Sequence, residues 1–151
     1  MRTGKRMTES AGRGVNRRVI TIEFGDCDPA RIVYYPNYFR WFDQGAHHLF
    51  AAAGFSLPQL AETRGLTIPL VNATATFAGP AVWGDTIAVE SRVTRWGTRA
   101  FDIAHTVTHA ETGAAVAQGS ETRVCVQIDP ADPKGMRGVA IPDDIRRALG
   151  G

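Results

Sequence analysis

The sequence predicts an α+β domain in which one antiparallel sheet curls around a single long helix. Two observations carry this. Residues 36–53 form a helical segment that is apolar around most of its circumference, so it must be covered. Residues 86–129 read as successive strands broken by turn chemistry at Gly97-Thr98 and Glu111-Thr112-Gly113. A strand, a turn, a long apolar helix and a meander of four strands then follow one another in a chain of single-domain length.

The first strand is read over Arg18–Phe24, which is rich in β-branched residues and stops at Gly25. Asp28-Pro29 has the form of an N-cap followed by proline at the first helical position. The short helical turn it begins ends before Pro36, which disfavours helical geometry at Tyr35. The long helix starts at Pro36 and stops before Gly54. Tyr38, Trp41, Phe42, Gly45, Leu49 and Ala52 make its main stripe, and Phe39, Ala46, Phe50 and Ala53 broaden it. Only Arg40, Asp43, Gln44 and His47 form a polar strip, so the helix is expected inside a wrapping sheet.

A helical turn is expected over Leu57–Thr63 and a strand over Leu66–Phe77, interrupted near Pro69. Thr86–Trp96 alternates, with Ile87, Val89, Ser91 and Val93 on one face. Arg99–His109 places Phe101, Ile103, His105 and Val107 together. Ala114–Asp129 reads as one long strand bent at Gly119, with Val124, Val126 and Ile128 inward. Pro130–Gly138 reads as loop, and Pro142-Asp143-Asp144 opens a short helix to about Leu149.

Charge excludes some functions. Of 17 basic and 15 acidic residues, six basic and one acidic fall in residues 1–18. The remainder is therefore slightly acidic, unlike a nucleic-acid-binding domain. Residues 1–17 read as a disordered basic tail, in part an extended start before Met7, and residues 18–151 as one domain. No apolar run reaches the ~20 residues of a membrane span. Two cysteines without metal-ligand spacing suit a reduced cytoplasmic protein.

The densest chemistry lies in Phe24-Gly25-Asp26-Cys27-Asp28-Pro29-Ala30 and Ile32-Val33-Tyr34-Tyr35-Pro36-Asn37-Tyr38. By spacing alone, Asp28 is either a cap or a catalyst. Asp26 reads as a structural acceptor in the turn, and Cys27 as a small packed residue. This double segment resembles the signature of the hotdog-fold 4-hydroxybenzoyl-CoA thioesterase family, and the resemblance extends more weakly over Leu66–Phe77, Trp83–Glu90 and Arg95–Phe101. It implies a five-stranded antiparallel sheet around a central helix, a homodimer with a continuous larger sheet, and often a homotetramer. It also implies an acyl-CoA thioester hydrolase that needs no cofactor, coenzyme A being part of the substrate.

The resemblance assigns Asp28 as nucleophile or general base, the backbone N–H of Tyr35 as oxyanion donor, and Asp43 as a contact to the hydroxyl of an aromatic acyl group. Tyr34 and Trp83 are expected to line the aromatic pocket. Of the family's basic cluster for coenzyme A phosphates only Arg99 remains, where Gly97-Thr98 replace the rest, so Arg95 or Arg31 would substitute. Arg31 itself stands where the family carries glycine. Short- or medium-chain acyl-CoA hydrolysis and a non-catalytic acyl-CoA or acyl-carrier binding protein are the competing readings. A hotdog dehydratase fits less well, because Asp28–Tyr38 contains no histidine.

Overall fold

A computed structural model describes residues 14–151. The five-stranded sheet has the spatial order β1-β4-β5-β6-β3, with all neighbours antiparallel. Its members are β1 (Val15–Thr21), β3 (Leu70–Phe77), β4 (Thr86–Trp96), β5 (Ala100–His109) and β6 (Ala115–Val124). The first strand begins three residues earlier than its composition suggested, so residues 15–17 of the expected tail are sheet; residues 1–13 lie outside the described residues. Pairing explains the shift, because Val15, Asn16 and Arg17 lie opposite Arg92, Ser91 and Glu90.

Helix α1 (Pro36–Ala52) packs Tyr38, Trp41, Phe42, Gly45, Ala46, Leu49 and Phe50 against one face of this sheet. The sheet does not enclose it on every side. Arg40, Asp43, His47, His48, Ala51 and Ala52 remain exposed, so the helix keeps a solvent face that its alanines hid in the sequence pattern. Two glycines set the closeness of docking. A Cβ on Gly45 would lie 2.5 Å from Ser91 Oγ, and a Cβ on Gly119 would collide with the Phe42 ring.

The expected long strand over 114–129 is instead two strands in two sheets. β6 ends at Val124, and β7 (Val126–Asp129) joins β2 (Leu66–Thr67) and β8 (Asp132–Gly138) in a second, three-stranded sheet. The break falls at the buried Cys125, not at Gly119, which stays in register opposite His105. The segment read as loop, 130–138, contains β8, paired through Val126↔Gly138 and Gln127↔Arg137. Val116 is fully buried at the irregularity that opens β6, and beyond it the inward residues are Ala117, Gly119, Glu121 and Arg123, so Val124 belongs to the other face. Two inward charges had masked the true alternation.

α2 (Leu57–Arg64) is capped by Ser56 and stopped at Gly65, whose φ of +64° is the left-handed geometry that favours glycine. α3 (Asp143–Ala148) buries Ile145. The core forms two apolar clusters. One gathers Leu49, Phe50, Leu60, Phe101, Ile103 and Ile145; the other gathers Ile22, Tyr38, Trp41, Phe42, Val89 and Val107. Between them, on three adjacent strands, lie the buried polar residues Ser91, His105 and Glu121, with Arg123 next along β6.

Candidate active site

The loop between β1 and α1 is built on Asp26. A short 3-10 turn over Phe24–Asp26 lets the Asp26 carboxylate accept the Glu23 N–H at 2.9 Å. Its carbonyl accepts the Tyr34 N–H at 2.8 Å and the Asn37 amide at 2.9 Å. Arg40 adds an ion pair at 3.5 Å. Asp26 therefore ties the loop to the first turn of α1, the structural part expected of it.

Asp28 does not cap a helix. Cys27 and Val33 form an antiparallel bridge, and the Asp28 N–H donates to the Ile32 carbonyl at 3.0 Å. Residues 28–32 are a tight turn. Asp28 Oδ1 accepts the Ala30 N–H at 2.8 Å, the side-chain-closed turn that aspartate favours. Local bonding across Asp28–Arg31 wins over helix propagation because Val33 is drawn into the core, with its N–H donated to the Ala81 carbonyl. Among the described residues Oδ2 of Asp28 has no hydrogen-bond donor.

Arg31 closes this turn with φ +67°, and among the described residues it alone combines a side chain with positive φ. A left-handed conformation costs a side-chain-bearing residue roughly 1–2 kcal/mol. The glycine expected at this position by family resemblance would carry no such cost, so Arg31 has a conformational reason to be unusual.

Phe24, Gly25, Cys27, Asp28, Pro29, Arg31 and Trp83 line an open cleft of about 620 Å³. Phe24 and Trp83 meet edge to face at 5.4 Å, yet both are largely exposed. Tyr34 and Tyr35, rings 5.7 Å apart, are exposed nearby in sequence but are not among the cleft's lining residues. Phe24 was missed as a site residue; its place at the end of an apolar strand run gave it a core signature. Cys27 is free and partly buried.

Tyr35 is the cap residue of α1 and already has helical backbone angles, with Pro36 following it. Its N–H has no acceptor among the described residues. Pro36 has none to offer, so the Tyr35 amide is an unpaired donor at the positive end of a 17-residue helix. Such an end is suited to binding a developing negative charge.

The remaining expected residues lie apart from the cleft within one chain. Asp43, on the exposed face of α1, accepts from Arg123 at 2.9 Å and stands 3.5 Å from His47. Arg95 is engaged by Asp102 at 2.6 Å. Hydrogen bonds from Arg95 and then Thr122 hold the Asp102 carboxyl below the usual carboxylate range. Arg99 is exposed beside the β4–β5 turn.

The sequence reading also missed a buried polar chain. Ser91 Oγ lies 2.7 Å from His105 Nδ1, and His105 Nε2 lies 2.7 Å from Glu121 Oε1. Glu121 Oε2 accepts from Arg123 at 2.8 Å, and Arg123 reaches Asp43. His105 is stacked flat under Phe42 at 4.9 Å. Burial opposes ionisation of Glu121, but the hydrogen bonds from His105 and Arg123 and the Arg123 charge outweigh it, leaving its pKa lowered. The inward phase of His105 was the available signal; its partners lie on another strand and required the register.

This fold, with a carboxylate cleft in the loop leading to an unpaired helix end, defines a hotdog protein of thioesterase type. The chain belongs to the Thioesterase-like superfamily, whose family model matches residues 22–149. It is 34% identical over 130 residues to a 4-hydroxybenzoyl-CoA thioesterase of Pseudomonas sp. strain CBS-3, covering 82% of this chain and 89% of that protein. A 1,4-dihydroxy-2-naphthoyl-CoA hydrolase of Thermosynechococcus vestitus is 30% identical over 125 residues, covering 83% of this chain and 82% of the relative. A solved structure of the Pseudomonas thioesterase superimposes with a TM-score of 0.80 at 31% identity, over 89% of this chain and 98% of that one. Among the described residues no helix is long and apolar enough to cross a membrane.

Proposed function

We propose that the protein hydrolyses the coenzyme A thioester of a hydroxylated aromatic acid, giving the free acid and coenzyme A. The supporting observation is the Asp28 carboxylate, with one oxygen spent on the turn and the other unpartnered, in an aromatic-walled cleft. The names of the relatives supply the acyl class, since they act on 4-hydroxybenzoyl-CoA and 1,4-dihydroxy-2-naphthoyl-CoA.

In this reading Asp28 attacks the thioester carbon, or draws a proton from a water that does. The carbonyl oxygen gains charge and is received by the Tyr35 N–H, a donor of a kind that contributes about 3 kcal/mol. The C–S bond then breaks, and coenzyme A leaves as a thiolate that takes its proton from solvent. If Asp28 attacks directly, the resulting mixed anhydride is cleaved by water and the carboxylate is regenerated. Trp83 and Phe24, which line the cleft, hold the aromatic ring, and Asp43 accepts from its hydroxyl. Arg31, Arg99 and, on release from Asp102, Arg95 bind the phosphates of the nucleotide.

Within one chain Asp43 does not line the cleft, so the complete site uses a second copy. Strand β3 is a free edge exposing Leu70, Val71 and Phe77, and supports a homodimer with a continuous sheet, paired again as a homotetramer. In this reading the reaction uses no metal or other cofactor, coenzyme A being part of the substrate, and the protein works in the cytoplasm.

The test is release of free thiol from benzoyl-, 4-hydroxybenzoyl-, phenylacetyl- and linear acyl-CoA by the wild type and Asp28→Asn. The 4-hydroxybenzoyl ester is expected to turn over best, and Asp28→Asn to lose turnover. Undiminished turnover in that variant would falsify the mechanism. A preference for linear esters would move the assignment to aliphatic acyl-CoA, and binding without turnover of any ester would make this a binding protein.

A further inference from the structure

We propose that Arg123 is a positioning residue that makes Asp43 selective for hydroxylated acyl groups, anchored by the buried chain Ser91–His105–Glu121. This rests on the reading of Asp43 as the contact to the acyl hydroxyl.

The observations concern how completely Arg123 is committed. Its side chain is 3% exposed. Nε and Nη2 donate to the two oxygens of Glu121 at 3.4 and 2.8 Å, Nη1 donates to the Ile68 carbonyl at 3.1 Å, and Nη2 also reaches Asp43 Oδ1 at 2.9 Å. Three bearings fix the plane of the guanidinium before Asp43 is considered. Glu121 is fixed in turn by His105, and His105 by Ser91 and the face of Phe42. The four residues sit on β4, β5 and β6, the rigid centre of the sheet.

Asp43 differs in kind. Its side chain is 54% exposed on α1, and a free surface carboxylate would sample several rotamers. Arg123 holds Oδ1 and leaves Oδ2 with no partner among the described residues. The carboxylate is thereby oriented with one lone-pair oxygen available to a donor. An acyl hydroxyl is such a donor; an unsubstituted ring offers none and leaves the carboxylate desolvated for no return. A buried ion pair is a weak source of stability compared with apolar packing of the same volume, so its placement against the one exposed carboxylate it touches suits a positioning role.

The experiment measures kcat/KM for 4-hydroxybenzoyl-CoA over benzoyl-CoA. The wild type, Arg123→Lys, Arg123→Gln, Asp43→Asn and the Asp43→Asn/Arg123→Lys double variant are compared as assembled oligomers with verified far-UV circular dichroism. Asp43→Asn is expected to lower the ratio by about 10- to 100-fold, the worth of a hydrogen bond to a charged group. Arg123→Lys, which keeps the charge but loses the fork, is expected to lower it at least fivefold, and Arg123→Gln further. In the double variant the Arg123 change is expected to add nothing. A merely structural role would depress both substrates alike and leave the ratio unmoved. A normal ratio in folded Arg123→Lys alongside a lowered one in Asp43→Asn overturns this proposal alone. An unchanged ratio in Asp43→Asn overturns the reading of Asp43 on which it depends. If Arg123→Gln does not fold, Arg123→Lys still decides.

Discussion

The Asp28 loop and the Ser91–His105–Glu121–Arg123 chain both concentrate polar chemistry, and they are built on opposite principles. The loop groups are half-buried or exposed, closed by local hydrogen bonds, and leave one carboxylate oxygen and one amide unpaired. The chain is buried between two apolar clusters, drawn from three strands, and has each side chain partnered. The unpaired groups are where a substrate gains interactions it does not find in water. The paired groups can only orient something else. Perturbing the loop should therefore change chemistry with little change in stability, and perturbing the chain should change stability first.

The largest contrast is expected from Asp28→Asn. Loss of a nucleophile or general base should reduce kcat by about 10²- to 10⁴-fold. Asparagine keeps the oxygen that accepts the Ala30 N–H, so the turn survives and the melting temperature should move by no more than a degree or two. A large fall in melting temperature would mean that the loop is structural and would dissolve the contrast. Arg123→Ala is the converse case. Removing one partner of a buried pair costs about 3–5 kcal/mol, because Glu121 loses the guanidinium that offsets its burial and keeps only the His105 hydrogen bond. Urea denaturation of the variant should show this loss directly.

Acid reads the same chain without mutation. The folded Glu121 has a lowered pKa, so the unfolded state binds more protons as the pH falls below the ordinary glutamate value of about 4.5. The stabilisation is present above that value and is lost as pH falls through the lowered folded pKa. Melting temperatures of the wild type between pH 6 and pH 3 should decline more steeply than those of Glu121→Gln. Parallel curves would show that Glu121 is not a net source of acid sensitivity.

A smaller effect tests the docking of α1 above the chain. Gly119→Ala places a methyl group against Phe42, which cannot retreat from the stacked His105 without disturbing it. Overpacking of this kind costs about 1–3 kcal/mol. Equilibrium unfolding should report that loss, and a neutral result would show that α1 shifts freely on the sheet.

What the sequence disclosed follows the range of the interactions. The long helix, the hairpins and the inward phase of Ile87, Val89, Ser91, Phe101, Ile103, His105 and Val107 are periodic within a few residues, and all were legible. The exposed stripe through Ala51 and Ala52 was not, because alanine reads as apolar wherever it lies. The division at Cys125 and the strand β8 depend on which sheet each segment joins. Glu121 and Arg123 obscured the phase of β6, since charges at inward positions look outward until their partners are known. At the site, the motif singled out Asp28 and Tyr35, but the turn geometry around Asp28 depended on the Cys27–Val33 bridge, a contact between residues six apart. Arg31 was visible as an unusual residue and its left-handed backbone was not.

Arg31 offers the finest test, because strain and chemistry there have opposite signs. Arg31→Gly removes the left-handed cost and adds back part of it through the greater freedom of glycine in the unfolded chain, for a net gain of about 0.5–1 kcal/mol. Arg31 lines the cleft and its guanidinium has no carboxylate partner among the described residues, so the same change should raise KM for acyl-CoA if the cation meets a phosphate. Arg31→Asn separates the two, since asparagine tolerates the left-handed region but carries no charge. It should share the higher KM of the glycine variant and a smaller part of its added stability. A KM raised in both variants and falling toward the wild type for a pantetheine thioester without the nucleotide would assign Arg31 to the phosphates. A KM unchanged in both would leave the residue as strain without a ligand and remove Arg31 from the proposed phosphate contacts.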